Sequence, residues 1–189
     1  MPAVRRTALV LLCLALPACG NDRTPPPDVA AAAPQADSAP VRLPAAGVTL
    51  TAPRGWRVDT RGPAPLLAQL TSGRASIALF RYPRTEPLPR TAAELDEAAA
   101  ALVDAAGQRD ASFEAADRRR TRVDGRPAVV VRGAGTVGGQ PRKVRSTHVY
   151  AFGGELVVDV LAPAADFERL DAGAFRELVR SLRLTPPAD

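Results

Sequence analysis

The sequence has few of the residues on which metal, redox and disulfide chemistry depend. It contains one histidine, His148, and two cysteines, Cys13 and Cys19, among its 189 residues. Zinc sites, iron–sulfur clusters, disulfide frameworks and redox pairs need more of these residues than the chain has. Aromatic residues make up only 4% of the chain, so we expect an aliphatic core. The composition therefore predicts no cofactor and no metal site.

The first residues have the pattern of a secretory signal. Arg5 and Arg6 precede a short apolar run over residues 8–16. Nine apolar residues are too few for a helix that crosses a bilayer, which needs about 20 residues. A charged start followed by a short apolar run is typical of a signal peptide that is removed from the mature protein.

The end of this segment resembles a bacterial lipobox. Leu16, Pro17 and Ala18 precede Cys19, and Gly20 follows it. The resemblance implies a signal peptide over residues 1–18 and a mature chain that begins with a diacylated Cys19. Two acyl chains give stable membrane anchoring, which one chain does not. We therefore expect a lipoprotein anchored in a membrane of the cell envelope, on its extracytoplasmic side.

Composition divides the mature chain into a tether and one domain. Residues 20–44 contain six prolines and six alanines and have no apolar periodicity. Such a segment cannot bury a core and is predicted to be disordered. We expect a lipidated tether over residues 19–44 and a folded domain over residues 45–185, a length that can bury a core of its own.

Local signals predict strands on both sides of one helix. Short strands are expected at residues 48–50, 56–58, 66–71 and 76–80, the last two as a hairpin. Trp56 follows a turn and is predicted to pack the sheet edge against a helix. Thr91 and Glu94 form a capping box, which predicts a helix that starts there and ends at Gly107.

The second half predicts an antiparallel meander and a closing helical region. Asp124-Gly125, Gly138-Gly139 and Gly153-Gly154 have the composition of two-residue hairpin turns. They would join four strands over residues 113–123, 126–137, 140–152 and 155–162. An amphipathic helical region follows from Phe167 to Leu182, with Asp171 as a candidate N-cap inside it. The fold class is therefore α+β with an antiparallel sheet packed by helices.

Several short motifs in this order resemble the PsbP-like family. They are Pro53-Arg54-Gly55-Trp56, residues 123–128, residues 153–156 and the Phe175, Leu178, Val179, Leu182 terminus. The resemblance covers roughly residues 45–185 and implies an α/β/α sandwich. It also implies a binding or assembly accessory rather than an enzyme, and it supplies no catalytic residues.

A glycine motif at residues 133–138 matches the pattern GxGxxG. A dinucleotide site needs this pattern between a strand and a helix, so that a pyrophosphate meets the helix N-terminus. Here Pro141 and β-branched residues follow, which favours a strand. The motif is interpreted as the glycine-rich end of a hairpin.

The single histidine has two interpretations. If Gly153-Gly154 forms a two-residue loop, His148 pairs with Asp159, and Ser146 lies on the same face two residues away. A Ser, His and Asp patch is compatible with a hydrolase. However, no strained elbow presents the serine, and flat strands offer no oxyanion donors. A cross-strand hydrogen bond between His148 and Asp159 is the default interpretation.

Positive charge is concentrated in the meander. From Arg118 to Arg145, nine basic residues stand against one acidic residue, whereas the rest of the domain carries 12 basic and 16 acidic residues. The patch would bind anionic lipid, an envelope polyanion or an acidic partner, or it is a solvated strand face. Nucleic acid is disfavoured, since aromatic residues are not interleaved. The candidate patch comprises Arg118, Arg120, Arg122, Arg142, Lys143 and Arg145.

The sequence is compatible with three functions. The first is a non-enzymatic, lipid-anchored module that binds or supports a membrane-associated partner, with the basic patch as its candidate site. The second is a carrier of a small apolar or anionic ligand between helix and sheet. The third is a hydrolase that uses Ser146, His148 and Asp159.

Overall fold

The structure, a computed structural model, describes residues 40–188. The predicted signal peptide at residues 1–18, the lipidation site Cys19 and the tether up to residue 39 lie outside the described residues. None of the helices described is both long enough and apolar enough to cross a membrane.

A seven-stranded antiparallel sheet forms the centre of the domain, in the order β3-β4-β5-β9-β8-β7-β6. The turn at Gly73 joins β4 to β5, and three hairpins join β6 to β9, the first two with their turns at the predicted residues Asp124-Gly125 and Gly138-Gly139. The strands are β3 (Arg57–Asp59), β4 (Leu66–Ser72), β5 (Ala75–Pro83), β6 (Glu114–Val123), β7 (Arg126–Val137), β8 (Gln140–Ala151) and β9 (Gly154–Pro163).

A small sheet ties the two ends of the domain together. β1 (Pro40–Leu43) and β10 (Arg183–Leu184) flank β2 (Val48–Thr51), and a 3₁₀ turn (Pro44–Ala46) joins β1 to β2. The predicted tether extended to residue 44, so its last five residues belong to the fold instead. Val41 and Leu43 pack against the core, because alternate side chains of β1 point inward.

The helix α1 (Ala92–Arg109) begins as the capping box predicts. The Thr91 hydroxyl accepts from the Glu94 N–H, and the Glu94 carboxylate accepts from the Thr91 N–H. The predicted end at Gly107 is wrong. Gly107 stays helical, and the helix ends at Arg109, just before Asp110, whose backbone is extended.

The C-terminal helical region is continuous in its backbone but not in its hydrogen-bond pattern. α2 (Phe167–Leu170) passes into a π-helical turn (Asp171–Phe175) and then into α3 (Arg176–Ser181). The predicted N-cap at Asp171 is wrong, because this residue has helical backbone angles and makes no capping hydrogen bond. Its carboxylate instead accepts from Arg145 on the sheet.

Helices cover both faces of the large sheet, so the architecture is α+β with an antiparallel sheet between helical layers. On one face, Phe167, Phe175 and Leu178 belong to the larger core cluster. Trp56 is buried there, 6.1 Å from Phe175 between ring centroids, which confirms its packing role. On the other face, α1 packs Leu95 and Ala99 against β7 and β8.

The glycine motif at residues 133–138 lies at the end of β7 and in the turn to β8, as the hairpin interpretation predicts. A glycine is needed at position 133 because neighbouring atoms approach it closely, and not because its backbone needs unusual freedom. A Cβ at Gly133 would lie 2.4 Å from Cε2 of Phe113 and 2.7 Å from the Glu114 carbonyl oxygen. The absence of a side chain lets the Phe113 ring lie against β7.

Two glycine-to-alanine substitutions are expected to change stability in opposite directions. Gly133→Ala should lower the free energy of unfolding by about 1–3 kcal/mol, because the added methyl group overpacks the Phe113 contact. Gly107→Ala should raise it by about 0.5–1 kcal/mol, because the site is helical and nothing lies within 4 Å of the new Cβ. Urea denaturation measures both. Equal effects at the two sites would refute the packing role of Gly133.

Candidate functional site

The turn between β8 and β9 differs by one residue from the prediction. Its central residues are Phe152 and Gly153, with φ of 50° and 68°, and Ala151 pairs with Gly154. Gly154 is therefore the first residue of β9. This register places Ser146 opposite Asp159 and His148 opposite Val157, so the expected cross-strand bond between His148 and Asp159 is wrong.

A chain of five polar side chains runs across β5, β8 and β9 on the face that carries α1. The Ser146 Oγ lies 2.7 Å from Nε2 of His148 and 2.5 Å from Oδ1 of Asp159. On the other side of the ring, Nδ1 of His148 lies 2.6 Å from Oε1 of Glu155. Arg84, just beyond β5, completes the chain through a 2.8 Å bond to Oε2 of Glu155.

The numbers of hydrogen-bond donors and acceptors define where the protons of this network lie. A serine hydroxyl has one proton, and an ionised carboxylate can only accept. When Asp159 is ionised, Ser146 donates to it, and the Ser146 Oγ accepts from Nε2 of His148. Nδ1 of His148 faces the Glu155 carboxylate and donates as well. Every bond in the chain is therefore satisfied when His148 carries a proton on both nitrogens.

Glu155 and Arg84 are functional residues that the sequence analysis did not single out. Glu155 is 5% exposed. Burial by itself raises the pKa of its carboxyl, but the hydrogen bonds and charges of His148 and Arg84 outweigh burial and hold the pKa below its usual range. The sequence contained one signal for Glu155, because a strand residue just after the turn falls on the same face of the sheet as His148.

This arrangement fits a binding network better than a nucleophile. Ser146 lies within a regular strand, with Val131 and Asp159 as its backbone partners on the two sides. The neighbouring backbone amides belong to the sheet ladder, so they do not converge on an oxyanion position as hydrolysis requires. The Ser146 proton also points to Asp159 when that carboxylate is ionised, and not to the histidine that would have to remove it.

The network lies in the wall of a pocket of about 770 Å³ between α1 and the β5, β9 and β8 part of the sheet. This volume is within the range of small-molecule sites. Ser146, His148, Glu155 and Asp159 form a polar region of the wall. Most of the remaining wall is aliphatic or aromatic and includes Tyr82, Leu102, Phe113, Val144, Val157 and Leu161.

The six basic residues of the candidate patch lie on two faces of the sheet. Side chains alternate along a strand, so neighbours in sequence point to opposite sides. Arg118, Arg120 and Arg122 lie on β6 and are exposed; Arg120 reaches Asp96 of α1 at 3.3 Å. Arg142 lines the pocket and donates to the Arg74 carbonyl.

Lys143 and Arg145 lie on the opposite face, where helical carboxylates neutralise them. Lys143 forms an ion pair with Glu168, with 2.9 Å between Nζ and Oε1. Arg145 forms one with Asp171, with 2.7 Å between Nη1 and Oδ1. Arg132 of β7 contacts the same two carboxylates. These residues hold the C-terminal helices against the sheet, and the candidate patch is not one continuous surface.

The sheet, its two helical layers and the meander define the class of the protein, which has a PsbP-like fold. The expectation from the sequence motifs is confirmed at the level of fold. Comparison of the sequence with protein-family models gives no match, and comparison with curated protein sequences gives none either.

Solved structures from three bacteria share this fold. CyanoP, the cyanobacterial PsbP of Synechocystis, is 13% identical with a TM-score of 0.61, over 82% of this chain and 94% of CyanoP. LpqN, a Mycobacterium tuberculosis protein involved in cell envelope biogenesis, is 16% identical with a TM-score of 0.52, over 78% and 90%. PA94 of Pseudomonas aeruginosa is 17% identical with a TM-score of 0.52, over 78% and 97%.

Glu155→Gln tests the buried network through its pH dependence. A carboxyl whose pKa is lowered by folding adds stability above its usual pKa of 4.5, and the contribution is lost as the pH falls through the lower folded value. The substitution should cost about 1–3 kcal/mol of unfolding free energy at neutral pH. The deficit relative to wild type should shrink toward pH ~3.

Urea denaturation at several pH values measures this effect. Glu177→Gln is the matched control, because Glu177 pairs with Arg180 at the surface and should contribute little at any pH. A pH-independent deficit in Glu155→Gln would contradict the charge-based role of Glu155.

Proposed function

We propose that this chain is a lipid-anchored, non-enzymatic binding module of the cell envelope, and that its ligand occupies the pocket beneath α1. The observation that carries the proposal is the pocket itself, whose walls combine aliphatic and aromatic side chains with charged groups and a polar region built from Ser146, His148, Glu155 and Asp159. Apolar walls with a few convergent polar groups are the usual form of a small-molecule site. The proposal develops the carrier hypothesis of the sequence analysis.

The anchoring part of the proposal rests on the sequence. The charged start, the short apolar run and the lipobox-like residues before Cys19 support export and acylation. An envelope location also agrees with LpqN, which shares the fold and is involved in cell envelope biogenesis. The domain begins at Pro40, so about 20 residues separate it from Cys19.

A second candidate function is docking of an acidic, membrane-associated partner along β6. The observation that favours it is the row of exposed arginines on this edge strand, Arg118, Arg120 and Arg122. Lys143 and Arg145 belong to the helix contacts and do not extend this row. The pocket proposal and the docking proposal use different residues, so one experiment can separate them.

Substitution of Cys19 tests the anchor. In a bacterial host, the full-length chain should incorporate radiolabelled palmitate and fractionate with membranes. Cys19→Ser should lose the label, because the serine hydroxyl cannot form the thioether to the diacylglyceryl group. Cys13→Ser is the matched control and should keep the label, since residue 13 lies within the predicted signal. Labelled Cys19→Ser, or an unlabelled wild type, would refute lipidation at this residue.

Blocking the pocket tests the binding function. Ala105 is exposed on α1 and lines the pocket, so Ala105→Trp should fill it without disturbing the core. Native mass spectrometry of the wild-type lipoprotein extracted from membranes should show a small-molecule adduct. The adduct should be absent from Ala105→Trp and present in the control Ala101→Trp, which changes an exposed alanine of α1 that does not line the pocket.

Two outcomes would contradict the pocket proposal. The first is a wild-type protein without an adduct, and the second is an adduct that Ala105→Trp retains. A protein partner that cross-links equally to both tryptophan variants, and is lost on charge reversal of Arg118 and Arg120, would favour docking along β6 instead.

A further inference from the structure

Asp159 has no cationic partner among the described residues, although the chain carries 24 arginines and a lysine. Its side chain is half-buried in the pocket wall, and its one hydrogen bond is the one that Oδ1 accepts from Ser146. Glu155, the neighbouring carboxylate, is by contrast paired on both oxygens. One oxygen of Asp159 therefore remains available to a ligand.

Along β9 and toward β5, the neighbours of this carboxylate are apolar. Val157 and Leu161 flank it on the same face of β9, and Ala78 is its backbone partner on β5. An ionised group in such a setting is poorly solvated, and an opposite charge or a hydrogen-bond donor compensates for the lost hydration. A ligand that places a positively charged N–H group over Asp159 would supply both the opposite charge and the hydrogen-bond donor.

An aromatic ring lines the same pocket. Tyr82 lines the pocket, is 40% exposed, and stacks on Phe80 with 6.2 Å between ring centroids. Burial raises the pKa of the Tyr82 hydroxyl, the charges of Asp159 and Glu155 raise it further, and the charge of Arg109 opposes them, so the ring stays neutral. The face of a neutral aromatic ring attracts an ammonium group.

Charge within the pocket is less positive than that of the chain as a whole. The lining contains four carboxylates, Glu86, Asp110, Glu155 and Asp159, and three guanidinium groups, Arg84, Arg109 and Arg142. The formal charge of the pocket is therefore −1 with His148 neutral and zero with His148 protonated on both nitrogens, whereas that of the whole chain is +5.

The three guanidinium groups differ in how far they oppose a cation. Arg84 is paired with Glu155 and Glu86, and Arg142 donates to a backbone carbonyl. Arg109, at the exposed end of α1, is the group that opposes a cation and would attract an anion instead.

We propose that the pocket binds an organic cation, an ammonium group on an apolar tail. The ammonium group would lie between the Asp159 carboxylate and the Tyr82 ring, and the tail would lie against Leu102, Val144 and Leu161. The inference rests on the proposed binding function and names the chemical class of its ligand.

Three probes with the same tail and different head groups test this inference. Hexylamine, hexanol and hexanoate are titrated by calorimetry into the full-length lipoprotein in phosphatidylcholine nanodiscs, with empty nanodiscs as the blank. Hexylamine should bind most tightly. Asp159→Asn should weaken hexylamine roughly tenfold or more, because it removes a charge-assisted hydrogen bond, and should leave hexanol unchanged.

Two further variants serve as controls. Asp104→Asn removes an exposed carboxylate of α1 that does not line the pocket and should leave hexylamine binding unchanged. Tyr82→Leu replaces the exposed ring and should weaken hexylamine more than hexanol, which keeps the inference testable if Asp159→Asn does not fold. Dihexanoylphosphatidylethanolamine distinguishes two sources of the ammonium group: tighter binding than hexylamine would assign a lipid headgroup, and weaker binding a free amine.

The failures of the two proposals are distinguishable. Hexanoate that binds as tightly as hexylamine or more tightly, or Asp159→Asn that binds hexylamine as well as wild type, would overturn the cation inference and leave the pocket as a binding site. If none of the three probes binds, the pocket proposal and the cation inference both fail.

Discussion

The turn at Phe152 and Gly153 joins β8 to β9, and the left-handed backbone of both residues defines which side chains meet along the hairpin. Side chains hold this turn from several directions. Arg81 donates to the carbonyls of Ala151 and Phe152, and the Arg126 guanidinium lies 4.4 Å from the centre of the Phe152 ring. A non-glycine residue at positive φ carries a conformational cost, which these contacts offset. The register of β8 and β9, and with it the contact between Ser146 and Asp159, depends on this turn.

Side chains alternate along β8, so its polar and charged residues are divided between the two faces of the sheet. Arg145 points to the C-terminal helices, where it is 8% exposed and pairs with Asp171. A buried pair of this kind resists the loss of either partner, because the remaining charge would be left unpaired. Ser146 and His148 point the other way, into the pocket beneath α1. One face of the sheet thus uses its charges to hold helices, whereas the other keeps a carboxylate, Asp159, that no cationic side chain of the described residues contacts directly.

Much of the fold could be predicted because it depends on local signals. The capping box at Thr91 and the turn at Asp124-Gly125 each act over a few residues, so the pattern of residue types is sufficient. The turn after β8 could not be placed, since Gly153-Gly154 fits the same turn type as the observed Phe152-Gly153 pair. β1 was missed because its pairing depends on a distant partner, β2, and its composition continues that of the tether. Glu155 joined the candidate site only once the register of β8 and β9 was corrected. Arg84 joined it through its contact with Glu155, which lies 71 residues away in the chain.

The large sheet is open at both ends, and the two edges differ in how they resist further growth. β3 has only three residues, too few to template another strand, whereas β6 has ten and is exposed for most of its length. Its arginines place like charges opposite one another whenever two copies of β6 approach in antiparallel pairing, which disfavours edge-to-edge aggregation. Crowding strengthens this requirement, because molecules confined to a surface meet far more often than molecules in free solution. If the domain is displayed on a membrane, as proposed above, the charge of β6 would therefore keep this edge from pairing with a neighbouring copy.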